Sequence, residues 1–277
     1  MPVPQRSARP TRLSGRTATV AAVSSPADQL TEAQRRALRI EIAVVLAVTF
    51  ALSAYTALLR LIEAVLLGLS GQTVALNPRR SPFSLIDLGL NLAGLFQLLA
   101  WGGLALYLLW RGGDGPARIG LTRIRWRSDI LGGVGLALMI GVPGLALYQI
   151  ARVLGVNASV EPAELNDTWW RIPVLLLLSF GNGWAEEVVV VGFLLTRLRQ
   201  LRVNPWVALV ISSLLRGTYH LYQGFGAGLG NVAMGLVFGY AWQRTGRLWP
   251  LIIAHTLIDA VAFVGYSLLA GRLGWLQ

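Results

Sequence analysis

The sequence predicts an all-α fold: a polytopic transmembrane helical bundle of about seven spans with a cytoplasmic amino terminus. Three observations predict it. First, 55% of the 277 residues are hydrophobic and only 13% are charged, against roughly 25% charged in soluble domains. Second, the apolar residues gather in runs of about 20, the length a helix needs to cross the hydrocarbon core. A transmembrane barrel would show alternating segments of about ten residues instead. Third, the arginines divide by side. The segment before the first span (residues 1–39), the Arg111–Asp129 loop, the Thr196–Asn204 loop and the Gln243–Leu248 loop hold 17 of the 24, whereas the alternate segments hold only Arg79, Arg80, Arg171 and Arg272. That asymmetry places the first group in the cytoplasm.

In order, residues 1–31 read as a disordered basic tail, rich in Pro, Arg, Ser and Thr and without periodicity. A short amphipathic helix is expected over Glu32–Arg39, at the interface. Arg35-Arg36 before an apolar run resembles an export signal, but the run is too long for one, so it is expected to stay as the first span. Spans are expected at Ile40–Leu67, Ile86–Trp110, Ile130–Leu154, Ile172–Leu195, Pro205–Tyr222, Ala227–Trp242 and Trp249–Leu269. Glu161, Glu164 and Asp167 lie in the Gly155–Arg171 loop, in keeping with the outside. Short loops and the lack of an internal repeat predict one membrane domain over residues 32–277.

Several classes fall away on composition. The net charge of +11 is carried by arginines in loops, which suits anionic headgroups better than nucleic acid. With no cysteine, disulfides, thiolate chemistry and cysteine-ligated zinc are excluded. The expected setting is the cell membrane, with lipids and a membrane protein or peptide as partners; the oligomeric state stays open.

The chemistry concentrates in polar residues inside the apolar runs. Glu186 and Glu187 occupy the fourth run, where each charge near a helix centre costs about 2.5–3.5 kcal/mol on insertion scales. Compensating groups are therefore expected on neighbouring helices. Arg216 and His220 are four apart on the fifth run, and His255 and Asp259 four apart on the seventh, so each pair shares a helix face. The two glutamates diverge by about 100°, so one is expected to face the reaction centre and the other a supporting partner. Arg216 is the natural partner, holding a carboxylate through its guanidinium. Asp259 is expected to orient His255 or accept from His220. Such a set can activate water for hydrolysis, with or without a metal. Straight spans, however, leave His220 about 10 Å shallower than Glu186, so a short or tilted fifth helix, or different boundaries, is needed.

In Glu186-Glu187, Arg216-Gly217-Thr218-Tyr219-His220 and His255-Thr256-Leu257-Ile258-Asp259, the chain resembles the CPBP family. That family comprises type II CAAX prenyl endopeptidases, their bacterial relatives, and bacteriocin-processing or immunity proteins, also described as intramembrane metalloproteases. The resemblance covers about residues 172–266. It implies an intramembrane endopeptidase in which Glu186 is the general base on water, His220 assists, His255 and Asp259 stand on the oxyanion side, and Glu187 supports the cluster. If a metal is used, Glu186, His220 and His255 could supply the three protein ligands that zinc wants; metal-independent chemistry stays open. Two departures stand out. Val191 replaces an arginine usual four residues after the second glutamate, and Arg216 replaces a phenylalanine four before the histidine. These changes read as linked, the arginine having moved to a neighbouring helix.

Other readings stay in view. Buried carboxylates also serve proton-coupled carriers, and an immunity-type membrane protein would need no catalysis. Arg60 and Glu63 are expected simply to pair, and Asp87 to favour a helix amino terminus. Gly235 and Gly239 read as a close helix contact rather than part of a phosphate loop. Trp206, Trp242 and Trp249 read as interfacial anchors.

Overall fold

The computed structural model describes residues 30–161 and 168–265. The expected tail up to residue 29, Glu164, Asp167 and the end of the seventh span beyond Gly265 lie outside the described residues. Among the described residues, seven helices form: α1 (Glu32–Leu67), α2 (Ser84–Arg111), α3 (Trp126–Val153), α4 (Arg171–Gln200), α5 (Pro205–Tyr219), α6 (Phe225–Thr245) and α7 (Trp249–Gly265). The protein is thus an all-α helical membrane protein. Four of these helices, α1 to α4, are long and apolar enough to cross a membrane.

Local chemistry sets the ends. The expected interfacial helix and first span are one helix, because a capping box starts it: Thr31 Oγ1 accepts from the Gln34 amide while Gln34 Oε1 accepts from the Thr31 amide. Asn204 caps α5 by accepting from the Trp206 amide, with Pro205 in the first turn. α4 runs five residues past its expected end, since Arg197 has buried partners: it donates to Glu41 at 2.7 Å and to the Leu108 carbonyl at 2.7 Å.

Loop contacts establish that successive helices alternate in direction. At one end the α1–α2 and α3–α4 loops pair as a parallel two-stranded ladder, Thr73–Ala75 against Ser159–Glu161, with Thr73 opposite Ser159. The α5–α6 turn joins them through an antiparallel bridge between Asn157 and Gly224. Gly224 has φ +120°, and a Cβ there would lie 2.5 Å from Asn157 Oδ1, so only glycine fits. At the other end, Arg247 of the α6–α7 loop pairs with Asp129 at the start of α3. Trp249 Nε1 donates to the Thr122 carbonyl at 2.7 Å and Trp242 Nε1 to that of Ile119 at 3.1 Å. Trp242 is buried and ties loops together, contrary to its expected anchoring role; Trp206 is exposed as an anchor would be.

The core sits on α4. Residues 185–198 are buried on every side, and 72% of its apolar window is covered against 6% for α3. α2 and α7 pack on its first half. The expected Gly235 and Gly239 contact forms: a Cβ on Gly235 would lie 2.9 Å from Ser213 Cα, and one on Gly239 would collide with Leu209, so α5 and α6 meet closely. Asp87 does more than favour a helix start, because it pairs with buried Arg171 at 3.5 Å. Arg60 and Glu63 pair at 2.8 Å on the surface, as their spacing predicts.

Candidate active site

Glu186 and Glu187 lie at the middle of α4, where the α-helix passes into a seven-residue π-helical turn, Glu187–Phe193. Such turns inside α-helices are frequent at functional sites. The two carboxylates take different neighbours. Glu187 is fully buried at 0% exposure, whereas Glu186 retains 8%. Glu187 Oε1 accepts from Arg216 Nη2 at 2.6 Å and from His255 Nδ1 at 2.8 Å. The Arg216 guanidinium also lies over the Phe238 ring, 5.7 Å from its centroid. The displaced arginine therefore does meet a glutamate, and Val191 is an ordinary core residue.

Glu186 instead accepts from the Tyr219 hydroxyl at 2.6 Å. The Tyr219 ring is stacked on Phe50 of α1 at 4.9 Å and lies 4.8 Å from the His220 ring, which fixes where its hydroxyl points. His220 Nδ1 is 3.0 Å from the Arg216 carbonyl. A carbonyl only accepts, so Nδ1 carries the proton and Nε2 of the neutral ring presents a lone pair. His220 reaches the cluster through Tyr219, whose ring it contacts and whose hydroxyl is bonded to Glu186.

The depth problem resolves through a longer α4, which ends at Gln200 instead of Leu195, while α5 starts at Pro205 as expected. Glu186 lies 14 residues before the end of α4 at Gln200, and Tyr219 lies 14 residues after the start of α5 at Pro205. At about 1.5 Å per residue, both are some 21 Å from the connecting turn, so the two residues stand level. α5 ends there, with His220 as its capping residue, rather than continuing to Tyr222.

On the α7 side, His255 Nε2 faces Asp259 Oδ1 at 3.7 Å. Asp259 Oδ2 accepts from Asn182 Nδ2 at 2.9 Å. Asn182 and Glu186 on α4 thus oppose Asp259 and His255 on α7. Gly183 lets the two backbones approach: a Cβ there would lie 3.0 Å from both the Ile252 carbonyl and Thr256 Oγ1. Asp259 thus stands beside His255 and is held there by Asn182.

Sequence reasoning brings Glu186, Glu187, Arg216, His220, His255 and Asp259 together, and the structure gathers all six. It misses Tyr219 and Asn182. Asn182 carried a usable signal, being one turn before Glu186 on the same face. Tyr219 carried none, since its partner comes 33 residues earlier.

The expected zinc set of Glu186, His220 and His255 is not assembled. Among the described residues no group of three or more His, Asp or Glu side chains is placed to hold a metal ion. The described side chains therefore supply no three-donor ligand set.

The fold and these groups define a class: a helical membrane protein with an acid–imidazole centre enclosed in its bundle. Residues 168–261 match the family model described as type II CAAX prenyl endopeptidase Rce1-like. The part of the chain running from the start of α4 into α7, about a third of its length, is therefore similar to type II CAAX prenyl endopeptidases of the Rce1-like kind. No curated protein and no solved structure matches the chain.

Proposed function

We propose that the protein is an intramembrane endopeptidase of the cell membrane, hydrolysing peptide bonds in membrane-embedded or membrane-anchored proteins or peptides. The observation that carries this reading is the unequal treatment of the two glutamates. Glu187 is enclosed and held by Arg216 and His255, while Glu186 keeps an accessible edge and is held by Tyr219, whose ring touches that of His220. The family match supports the reaction class.

In this reading, water lies between Glu186 and His220 Nε2. Glu186 takes a proton from it, and the hydroxyl oxygen bonds to the scissile carbonyl carbon. The carbon–nitrogen bond then breaks, and Glu186 returns its proton to the leaving nitrogen. Tyr219 holds the Glu186 carboxylate in register. Glu187, Arg216, His255, Asp259 and Asn182 are positioning residues that fix α4, α5 and α7 around it.

The test is cleavage by reconstituted protein carrying Glu186→Gln, His220→Ala or His255→Ala. General acid–base groups contribute about 10²–10⁴-fold, so Glu186→Gln should lose at least about a hundredfold, and His220→Ala a comparable amount. Full activity in all three variants would remove the proposal. A flux driven by a pH gradient and abolished by Glu186→Gln would favour a carrier. A phenotype indifferent to the glutamate pair would favour an immunity-type protein.

A further inference from the structure

The end of α5 and the second half of α1 enclose an open hollow of about 280 Å³, lined by Ser53, Thr56, Ala57, Arg60, Tyr219 and Tyr222. The four α1 residues follow one another at intervals of three, one and three, so they form a single helix face. That face belongs to α1, outside the stretch that matches the family model. Tyr219 is shared: its side chain lines the hollow, and its hydroxyl is hydrogen-bonded to Glu186. Anything lodged in the hollow is therefore one phenol ring away from the carboxylate.

The polar lining is all hydroxyl and guanidinium; no carboxylate borders it. The Tyr222 hydroxyl accepts from Gln223 Nε2 at 2.9 Å, which leaves its own hydrogen to be donated. Arg60 uses one nitrogen, Nη1, on Glu63 at 2.8 Å, and both side chains are more than half exposed, at 72% and 56%. Such surface pairs are weak and exchange readily. Thr56 and Tyr219 spend their hydroxyl hydrogens on backbone carbonyls and on Glu186, but a guanidinium with donors to spare beside the Tyr222 hydroxyl suits an acceptor that can be held by two hydrogen bonds at once.

Resting on the peptidase reading above, we propose that this hollow is a substrate subsite beside the scissile bond and that Arg60 recognises a carboxylate on the substrate. A chain end and an acidic side chain offer the same chemistry, and the test separates them. Arg60 is a specificity-determining residue, and Glu63 is an internal competitor that the substrate carboxylate displaces.

Three fluorophore-labelled apolar hexapeptides serve as probes. One ends in a free carboxylate, one in an amide, and one in an amide with an internal glutamate. Their binding to the full-length Glu186→Gln protein in detergent micelles is measured by fluorescence anisotropy. At least one carboxylate peptide should bind about tenfold more tightly than the neutral amide, the scale of a charge-assisted pair. Which of the two does so identifies the source of the carboxylate. Adding Arg60→Gln should erase the preference, and adding Glu63→Gln instead should enlarge it. Equal binding by all three peptides, no binding, or a preference that survives Arg60→Gln overturns the proposal. Hydrolysis by the wild type is scored separately. Cleavage with equal binding would remove the subsite and leave the peptidase reading, whereas carboxylate-selective binding without cleavage would do the reverse.

Discussion

Glu187 and Arg216 are both at 0% exposure, 2.6 Å apart, and each leaves polar atoms without a protein partner: Glu187 Oε2, and Arg216 Nε and Nη1. Breaking such a pair from one side strands the other charge and typically costs about 3–5 kcal/mol, while replacing both members with apolar groups is often neutral. Arg216→Leu alone should therefore be strongly destabilising, and Arg216→Leu with Glu187→Leu much less so. Denaturant unfolding in micelles, read as a double-mutant cycle, checks this; additive losses would mean the pair is not coupled. Tyr219 poses a different question, because its ring packs on Phe50 while its hydroxyl serves Glu186. Tyr219→Phe should keep the fold and lower kcat about tenfold or more, the scale of a hydrogen bond to a charged group. An unchanged kcat would show that the hydroxyl does not position Glu186. The pairing of Arg216 with a glutamate was legible from its spacing and type. Tyr219 was not, because a residue adjacent to His220 on a regular helix points about 100° away from it, and only the level of the helix end brings it to Glu186.

Helix length decides which residues of α5 matter. A helix continuing through Tyr222 would have run on past Glu186; a helix of 15 residues ends level with it. The close seam with α6 then fixes α5 in place. A Cβ on Gly217 would collide with Val232 and lie 2.8 Å from the Gly228 carbonyl, a backbone atom that cannot rotate aside. Gly217→Leu should therefore push α5 off α6, costing about 1–3 kcal/mol as overpacking does, and displace Tyr219 and His220 with it. Cleavage should fall even at temperatures where circular dichroism shows the helices intact. Retained activity would mean the seam does not register the site. The glycines announced a close contact in the sequence, yet the length of α5 was hidden, since the apolar run continues through Leu221 and Tyr222 after the backbone has turned.

The two ends of the whole bundle are marked by which loops touch. The Thr73–Ala75 ladder, Asn157 and Gly224 gather at one, and Asp129, Arg247, Thr122 and Trp249 at the other. The arginine-rich loops fall at the second end, which the charge asymmetry assigns to the cytoplasm. Because the chain has no cysteine, single substitutions report cleanly on side. Thr73→Cys in sealed cells should react with a membrane-impermeant maleimide, and Arg123→Cys should react only after permeabilisation. Labelling of both from the same side would contradict the alternation of the helices, and a swapped pattern would invert the orientation.

By itself, the sequence determined that this is a helical membrane protein and roughly where its helices run, and it set Glu186, Glu187, Arg216, His220, His255 and Asp259 inside three apolar runs. Hydrophobic run length and the cost of burying charge are local properties, written into each segment before it folds. Only the tertiary structure decided which glutamate is enclosed and which stays accessible. It also decided that Tyr219 and Asn182 join the cluster, and that α1 contributes Phe50 and the Arg60 face. Those outcomes depend on the relative level and rotation of helices far apart in the chain, which π turns, an extended α4 and glycine contacts set together and no single segment contains.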